Sequence, residues 1–280
     1  MNGSARIAAP AAPHGMSPVI PPVMSEATST PIPSAMSPAM SEVLRDRRAG
    51  CLFFALAAAC AVLESVPSFD VFFQSPFFSA DGWLLSKPLH QRLRGLLYTG
   101  PKVLIAVTGA FFLLLFCASL LSGLKERLRP WQKPALFVAL GIASVPLAVG
   151  ALKMVTGVYS PVDLALYGGD HEFTGIARRI LSLGMPGGIP GGRSFPAGHA
   201  SGGFALMALG RLPLSRRARG ALFFFGLCCG WLMGVYQMAR GEHFVSHTLC
   251  SMFLALGILS FLASRLAPRL VSPSALRRDG

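Results

Sequence analysis

Long apolar runs alternate with short basic segments along the chain, and most of the runs are near the ~20 residues a helix needs to cross a hydrocarbon core. Six such runs lie at roughly 49–68, 100–123, 135–153, 197–211, 220–240 and 244–264. Together they predict an all-α integral membrane six-helix bundle. The 197–211 run is short, as suits a helix that ends at a buried site. Basic residues then set the topology. Arg6, Arg45, Arg47 and Arg48 precede the first run; Lys125, Arg127, Arg129 and Lys133 separate the second from the third; Arg211, Arg216, Arg217 and Arg219 separate the fourth from the fifth; and Arg265, Arg269, Arg277 and Arg278 follow the last. An even number of crossings separates these clusters, so all four fall on one side, which the positive-inside rule makes the cytoplasm. Both termini are expected there, with the connections at about 69–99, 154–196 and 241–243 facing outward.

Composition agrees with a bilayer as solvent. The chain is 52% hydrophobic and 13% charged, with a mean hydropathy of +0.55, too apolar for an ordinary soluble domain. A net charge of +13 invites a nucleic-acid reading, but the basic residues form short clusters between apolar runs rather than one patch, so no nucleic-acid partner is expected. Cys51, Cys60, Cys117, Cys228, Cys229 and Cys250 all sit in or at the ends of apolar runs and are expected as free thiols. Residues 1–48 begin with Ala, Pro, Ser and Met and no early apolar run, which predicts a disordered cytoplasmic tail rather than a signal peptide. Residues 49–266 then form the membrane domain and 267–280 a C-terminal cytoplasmic tail. The Gly/Pro-rich run 184–192 reads as a flexible loop.

The remaining cations, Lys87, Arg92, Arg94, Lys102, Lys153, Arg178, Arg179, Arg193 and Arg240, fall to the outer side. Lys153 and Arg240 lie at span ends and Arg193 just before the fourth span. Ionisable groups at membrane depth are functional candidates, although a long basic side chain at a helix end also snorkels to the headgroups without further role.

Two segments carry candidate chemistry. In Gly191–Phe204, Pro196 suits a first helical turn, where its missing N–H is no loss. The helix start that follows offers backbone N–H groups to an anion, Arg193 adds a fork of donors, and His199 lies within reach of a bound phosphoryl group. Close helix packing with an interfacial His199 is the other reading. In Gln237–His247, a span starting here puts His243 and His247 one turn apart on one face. One histidine can then orient the other by hydrogen bonding, and Arg240 can help neutralise a phosphoryl transition state. Zinc binding stays open, since two histidines at this spacing can hold it. The order of residues is not that of a His-Glu-x-x-His metalloprotease, however, and a neighbouring arginine disfavours a dication.

The segments Phe195-Pro196-Ala197-Gly198-His199 and Gly241-Glu242-His243-Phe244, at the outer ends of the fourth and sixth spans, resemble the type 2 phosphatidic acid phosphatase superfamily over roughly residues 50–266. Its usual signature is Lys-x6-Arg-Pro, then Pro-Ser-Gly-His, then Ser-Arg-x5-His-x3-Asp. The resemblance implies that Lys153 contacts phosphate, that Pro196, Gly198 and His199 form the second motif with His199 as general acid, and that His243 is the nucleophile. The chain departs from it at Ala197, which replaces the second-motif serine, at Ser160 and Gln237, which stand where arginines belong, and at His247, which stands where the aspartate belongs. Arg193 and Arg240 are expected to resupply the two charges, and Asp163, Asp170 and Glu242 are candidates for the missing carboxylate. Tyr167-Gly168-Gly169 after Pro161-Val162-Asp163-Leu164 is similar to members from Gram-negative bacteria and is expected to shape a headgroup pocket.

The resemblance therefore implies a lipid phosphate phosphatase in a bacterial inner membrane, its site facing the periplasm. The mechanism would run through phosphohistidine without metal or cofactor, on a phospholipid, lipid A or polyprenyl phosphate. A phosphotransferase would use the same residues, and a non-catalytic transporter or partner subunit would keep only the scaffold.

Overall fold

The computed structural model describes residues 47–182 and 191–266. The expected tails and most of the 184–192 loop lie outside the described residues. Helix α1 (Arg47–Glu64) stops because Pro67 disfavours helical backbone at Val66, which is extended at φ −109° and ψ 90°. Pro67 then opens α2 (Pro67–Gln74), and with the turn to Phe77 this helix departs from α1 at 88°. A two-residue hairpin, β1 (Phe78–Ser79) and β2 (Gly82–Trp83), leads to α3 (Lys87–Arg94), which runs through a π-helical Gly95–Thr99 into α4 (Gly100–Ala118). Helix α5 (Lys125–Thr156) tolerates Pro130, Pro134 and Pro146 and ends at Gly157, whose φ of 64° is the left-handed cap that glycine adopts without strain. After 3-10 turns at Pro161–Asp163 and Ala165–Tyr167 come α6 (Ile176–Ser182), α7 (Gly198–Ala205), α8 (Arg216–Met238) and α9 (Val245–Leu266).

The protein is all-α. Among the described residues, Lys87–Ala118, Lys125–Asp163, Arg216–Met238 and Val245–Leu266 are long and apolar enough to cross a membrane, and α1 with α2 makes a fifth if the bent pair is one span. The outward faces of these helices carry exposed Val107, Leu114, Leu147 and Leu232, as lipid contact requires. The expected fourth span differs. It is the eight-residue α7, continued by a 3-10 segment Leu206–Arg211 and stopped by Pro213, which holds Leu212 extended. So short a helix never meets lipid along its length: Ala200, Phe204 and Ala205 are fully buried, with α4, α5, α8 and α9 packed around them. Small residues make this possible. A Cβ on Gly203 would sit 2.6 Å from the backbone of Gly230, and one on Gly230 would overlap the Phe204 ring. The third span is longer than expected at its start, where Lys125, Arg127, Arg129 and Lys133 lie on the first turns of α5 rather than in a loop. All six cysteines are free.

One end of the bundle is laced by buried hydrogen bonds. The Ala197 N–H donates to the His247 carbonyl at 3.1 Å and the Ser251 hydroxyl to the Ala197 carbonyl at 2.9 Å, tying the start of α7 to the first turns of α9. Asp70 of α2 accepts the N–H of Ser246 at 3.0 Å and its hydroxyl at 2.6 Å, so one helix caps the N-terminus of another. The Gln74 amide donates to the Met238 carbonyl at the end of α8 at 2.8 Å. Asp70→Ala leaves a buried hydroxyl and a helix N–H unpaired, a loss of about 2 kcal/mol. The detergent-solubilised protein is expected to melt several degrees lower, with Asp70→Asn intermediate; an unchanged melting temperature in Asp70→Ala contradicts the cap.

Candidate active site

Between α8 and α9 the chain turns at Gly241, whose φ is 74° and where a Cβ would lie 2.5 Å from the Trp83 indole. That indole, with Phe78 and Tyr167, forms an aromatic roof over the turn. The Leu85 N–H to the Ala239 carbonyl and the Val162 N–H to the Gly241 carbonyl fasten it further. Helix α9 begins only at Val245, so His243 precedes the helix. The expected one-turn spacing therefore does not hold, and His243 and His247 do not bond to each other: their ring centroids are 5.8 Å apart. Ser194 joins them instead. The strand-like run before α7 follows the end of α5, with Gly192 N–H on the Gly157 carbonyl and Ser194 N–H on the Val158 carbonyl, which delivers the Ser194 hydroxyl beneath both rings.

Ser194 Oγ lies 2.6 Å from the Glu242 carbonyl, 3.0 Å from His243 Nδ1 and 3.1 Å from His247 Nδ1. A hydroxyl has one proton and a carbonyl only accepts, so Oγ donates to Glu242 and both imidazoles donate to Oγ. This network assigns Nδ1–H to His243 and leaves the lone pair on Nε2. His199 is the reverse. Its Nδ1 is 2.8 Å from the Gln237 amide nitrogen, while Gln237 Oε1 accepts from Arg240 Nη1 at 2.7 Å. Arg240 can only donate, so it fixes the amide with nitrogen toward His199, and the His199 proton sits on Nε2. That Nε2 is buried and bonded to nothing among the described residues. Arg240 is held in turn by Glu242, with Nη2 to Oε1 at 2.9 Å.

Gly198 opens α7, and the N-cap Ala197 supplies no side-chain cap, so the first N–H groups of the helix are left for a ligand. A Cβ at 198 would stand 3.4 Å from Lys153 Nζ; glycine lets the ammonium approach this helix start. Lys153 acts electrostatically on both His199 and His243. Pro196, expected in the first turn, lies one residue before the cap, after a cis peptide bond. His199, His243, His247, Lys153, Gly198 and Arg240 thus meet at one end of the bundle. Arg193 is exposed and has no hydrogen-bond or ion-pair partner among the described residues. Of the candidate carboxylates, Asp163 closes a capping box with Ser160, Asp170 is exposed, and Glu242 holds Arg240; none bonds to His243.

Sequence reasoning assigned no role to Ser194, Tyr98 or Lys102. The Tyr98 ring lies 4.3 Å from that of His199, and Lys102 Nζ is 4.1 Å from the Tyr98 centroid. All three sit in segments whose register to the histidines depends on tertiary contacts. Only the presence of Lys102 on the outer side signalled it.

Helices of spanning length put the chain among integral membrane proteins, and what gathers at one end of them is a set of imidazoles and cations, with Glu242 paired to Arg240. Residues 134–269 match the PAP2 superfamily and belong to it, the family whose motifs the sequence resembles. That family is generally one of phosphatases, membrane-associated and acting on phosphorylated lipids. No curated protein and no solved structure matches the chain.

Burial pushes the His243 imidazole well below its ordinary 6.5, with His247, Lys153 and His199 adding to the effect. The ring is neutral when the unfolded chain would already be protonated. Between the two pKa values the unfolded state binds more protons, so stability is full above about pH 6.5 and is lost as pH falls below it. A nitrogen-15 titration of histidine-labelled protein is expected to find His243 still neutral, with its proton on Nδ1, at pH 6. Protonation of His243 near pH 6.5 contradicts this.

Proposed function

We propose that this protein is a membrane lipid phosphate phosphatase in which His243 is the nucleophile. The observation that carries the reading is the opposite tautomers of two neighbouring imidazoles: His243 has an unprotonated Nε2, and His199 a proton on Nε2 with nothing to receive it. A phosphoryl group between them meets a lone pair on one side and a hydrogen-bond donor on the other, the arrangement an in-line displacement needs. Lys153, Arg240 and the N–H groups at Gly198 hold the phosphoryl oxygens, and Arg193 on the exposed rim adds a guanidinium. Charge stabilisation by fixed cations is the main task in phosphoryl transfer, and these residues supply it.

The departures from the family motifs fit this scheme. Gln237, in an arginine's place, orients His199. Ser194 takes the part of the missing carboxylate by holding Nδ1–H of His243, and His247 shares that hydroxyl rather than bonding to His243. Ser194 offers an acceptor but no charge, which stabilises a cationic phosphohistidine less than a carboxylate does. By the charge pattern of the connections, the site opens on the non-cytoplasmic face of a bacterial inner membrane, both termini being cytoplasmic. The substrate's phosphate then lies at headgroup level.

Phosphate release from a lipid phosphate in the presence of EDTA tests the proposal. Activity is expected to survive chelation and to fall by about 10³-fold or more in His243→Ala, with an acid-labile, alkali-stable phosphoenzyme trapped in the wild type and absent from the variant. Ser194→Ala is expected to lose about 10- to 100-fold. Full activity in His243→Ala, or activity abolished by EDTA, refutes it.

A further inference from the structure

Helix α3 buries no residue, and His90 and Leu93 alone of its side chains are not exposed. It is nevertheless fastened to the bundle at its middle. His90 Nδ1 lies 2.6 Å from the Tyr236 hydroxyl of α8, and among the described residues this is the one hydrogen bond that joins a side chain of α3 to another helix. A phenol hydroxyl both donates and accepts, so the bond forms with either tautomer of His90. Tyr236 is buried, and His90 is the partner of its hydroxyl.

Both sides of this contact lead to His199. Next to Tyr236 on α8 is Gln237, whose amide nitrogen is 2.8 Å from His199 Nδ1. The His90 ring meets the Tyr98 ring edge-on, with centroids 5.9 Å apart and planes at 83°, and Tyr98 packs on His199 with centroids 4.3 Å apart. The backbone makes this possible. Tyr98 comes eight residues after His90, and in an unbroken α-helix of about 3.6 residues per turn it would point roughly 80° away from it. The π-helical Gly95–Thr99 takes in about one more residue in its turn, which returns Tyr98 to the face of His90. One hydrogen bond at Nδ1 sets the tautomer of His199 but restrains its plane only loosely, whereas an aromatic face packed on the ring fixes where Nε2–H points.

We infer that His90 is a positioning residue for His199: tied to Tyr236 and packed on Tyr98, it holds the π turn against α8, so that Tyr98 keeps the His199 N–H aimed at the departing oxygen. This rests on the phosphatase reading and adds a residue to it. The hydrogen bond from His199 counts most where the departing oxygen is most basic, since there the most charge has to be stabilised. A residue that aims this bond therefore matters for a poor leaving group and hardly at all for a good one.

The test measures kcat/KM on the full-length protein in detergent with dodecyl phosphate, whose leaving oxygen is a basic alkoxide, and with p-nitrophenyl phosphate, whose phenolate departs with little help. His90→Ala and Tyr236→Phe are each expected to lose about tenfold on dodecyl phosphate and less than about twofold on p-nitrophenyl phosphate. The double variant is expected to lose no more than His90→Ala alone, because both changes break one link. Equal losses on the two substrates, as a general loosening of the fold would give, overturn the positioning role while leaving the phosphatase intact. So do losses that multiply in the double variant, or full activity on dodecyl phosphate in both single variants. No hydrolysis of dodecyl phosphate by the wild type overturns both readings.

Discussion

A serine hydroxyl has a single proton, and in this protein the Glu242 carbonyl takes it. Everything proposed for the site depends on that. With its proton committed, Ser194 Oγ can only accept from the two imidazoles that reach it, and His243 is left with its lone pair on Nε2. The same kind of constraint operates across the site, where a guanidinium that cannot accept forces the Gln237 amide, and through it the tautomer of His199. Proton positions are set by groups having no alternative, without any carboxylate at the nucleophile.

The fold supplies the rigidity this requires. Helix α7 is short and wholly surrounded, so its first turn is fixed by the longer helices around it and by the Ala197 and Ser251 bonds to α9. Asp70 and Gln74, brought back by the bend after α1, hold the start of α9 and the end of α8, the two points between which the His243 turn is strung. The aromatic roof of Phe78, Trp83 and Tyr167 closes over that turn, and Gly241 leaves the space for it.

Much of this was legible from the chain. Hydrophobic runs located α4, α5, α8 and α9, because a lipid-facing helix must be apolar along its length whatever its partners. The short run at 197–211 was legible as helix, but neither its 3-10 half nor its complete enclosure was, since both depend on glycine contacts with α8. His199, His243, Lys153 and Gly198 were found by motif and Arg240 by its place at a span end, and they meet at one end. The link between His243 and His247 was misread because a residue spacing implies a shared face only inside a helix, and α9 starts two residues too late for His243. Ser194 escaped notice for a related reason: its place under both rings comes from two backbone bonds to Gly157 and Val158, which no local pattern encodes.

The central claim is that one phosphorus sits between the Nε2 atoms of His243 and His199. A structure of the protein with orthovanadate, which mimics the trigonal-bipyramidal phosphoryl group, tests it most directly. The account expects vanadium bonded to His243 Nε2, with the His199 N–H donating to the apical oxygen opposite and Lys153 on an equatorial one. Vanadate bonded to another residue, or His199 out of hydrogen-bond reach of it, contradicts the account.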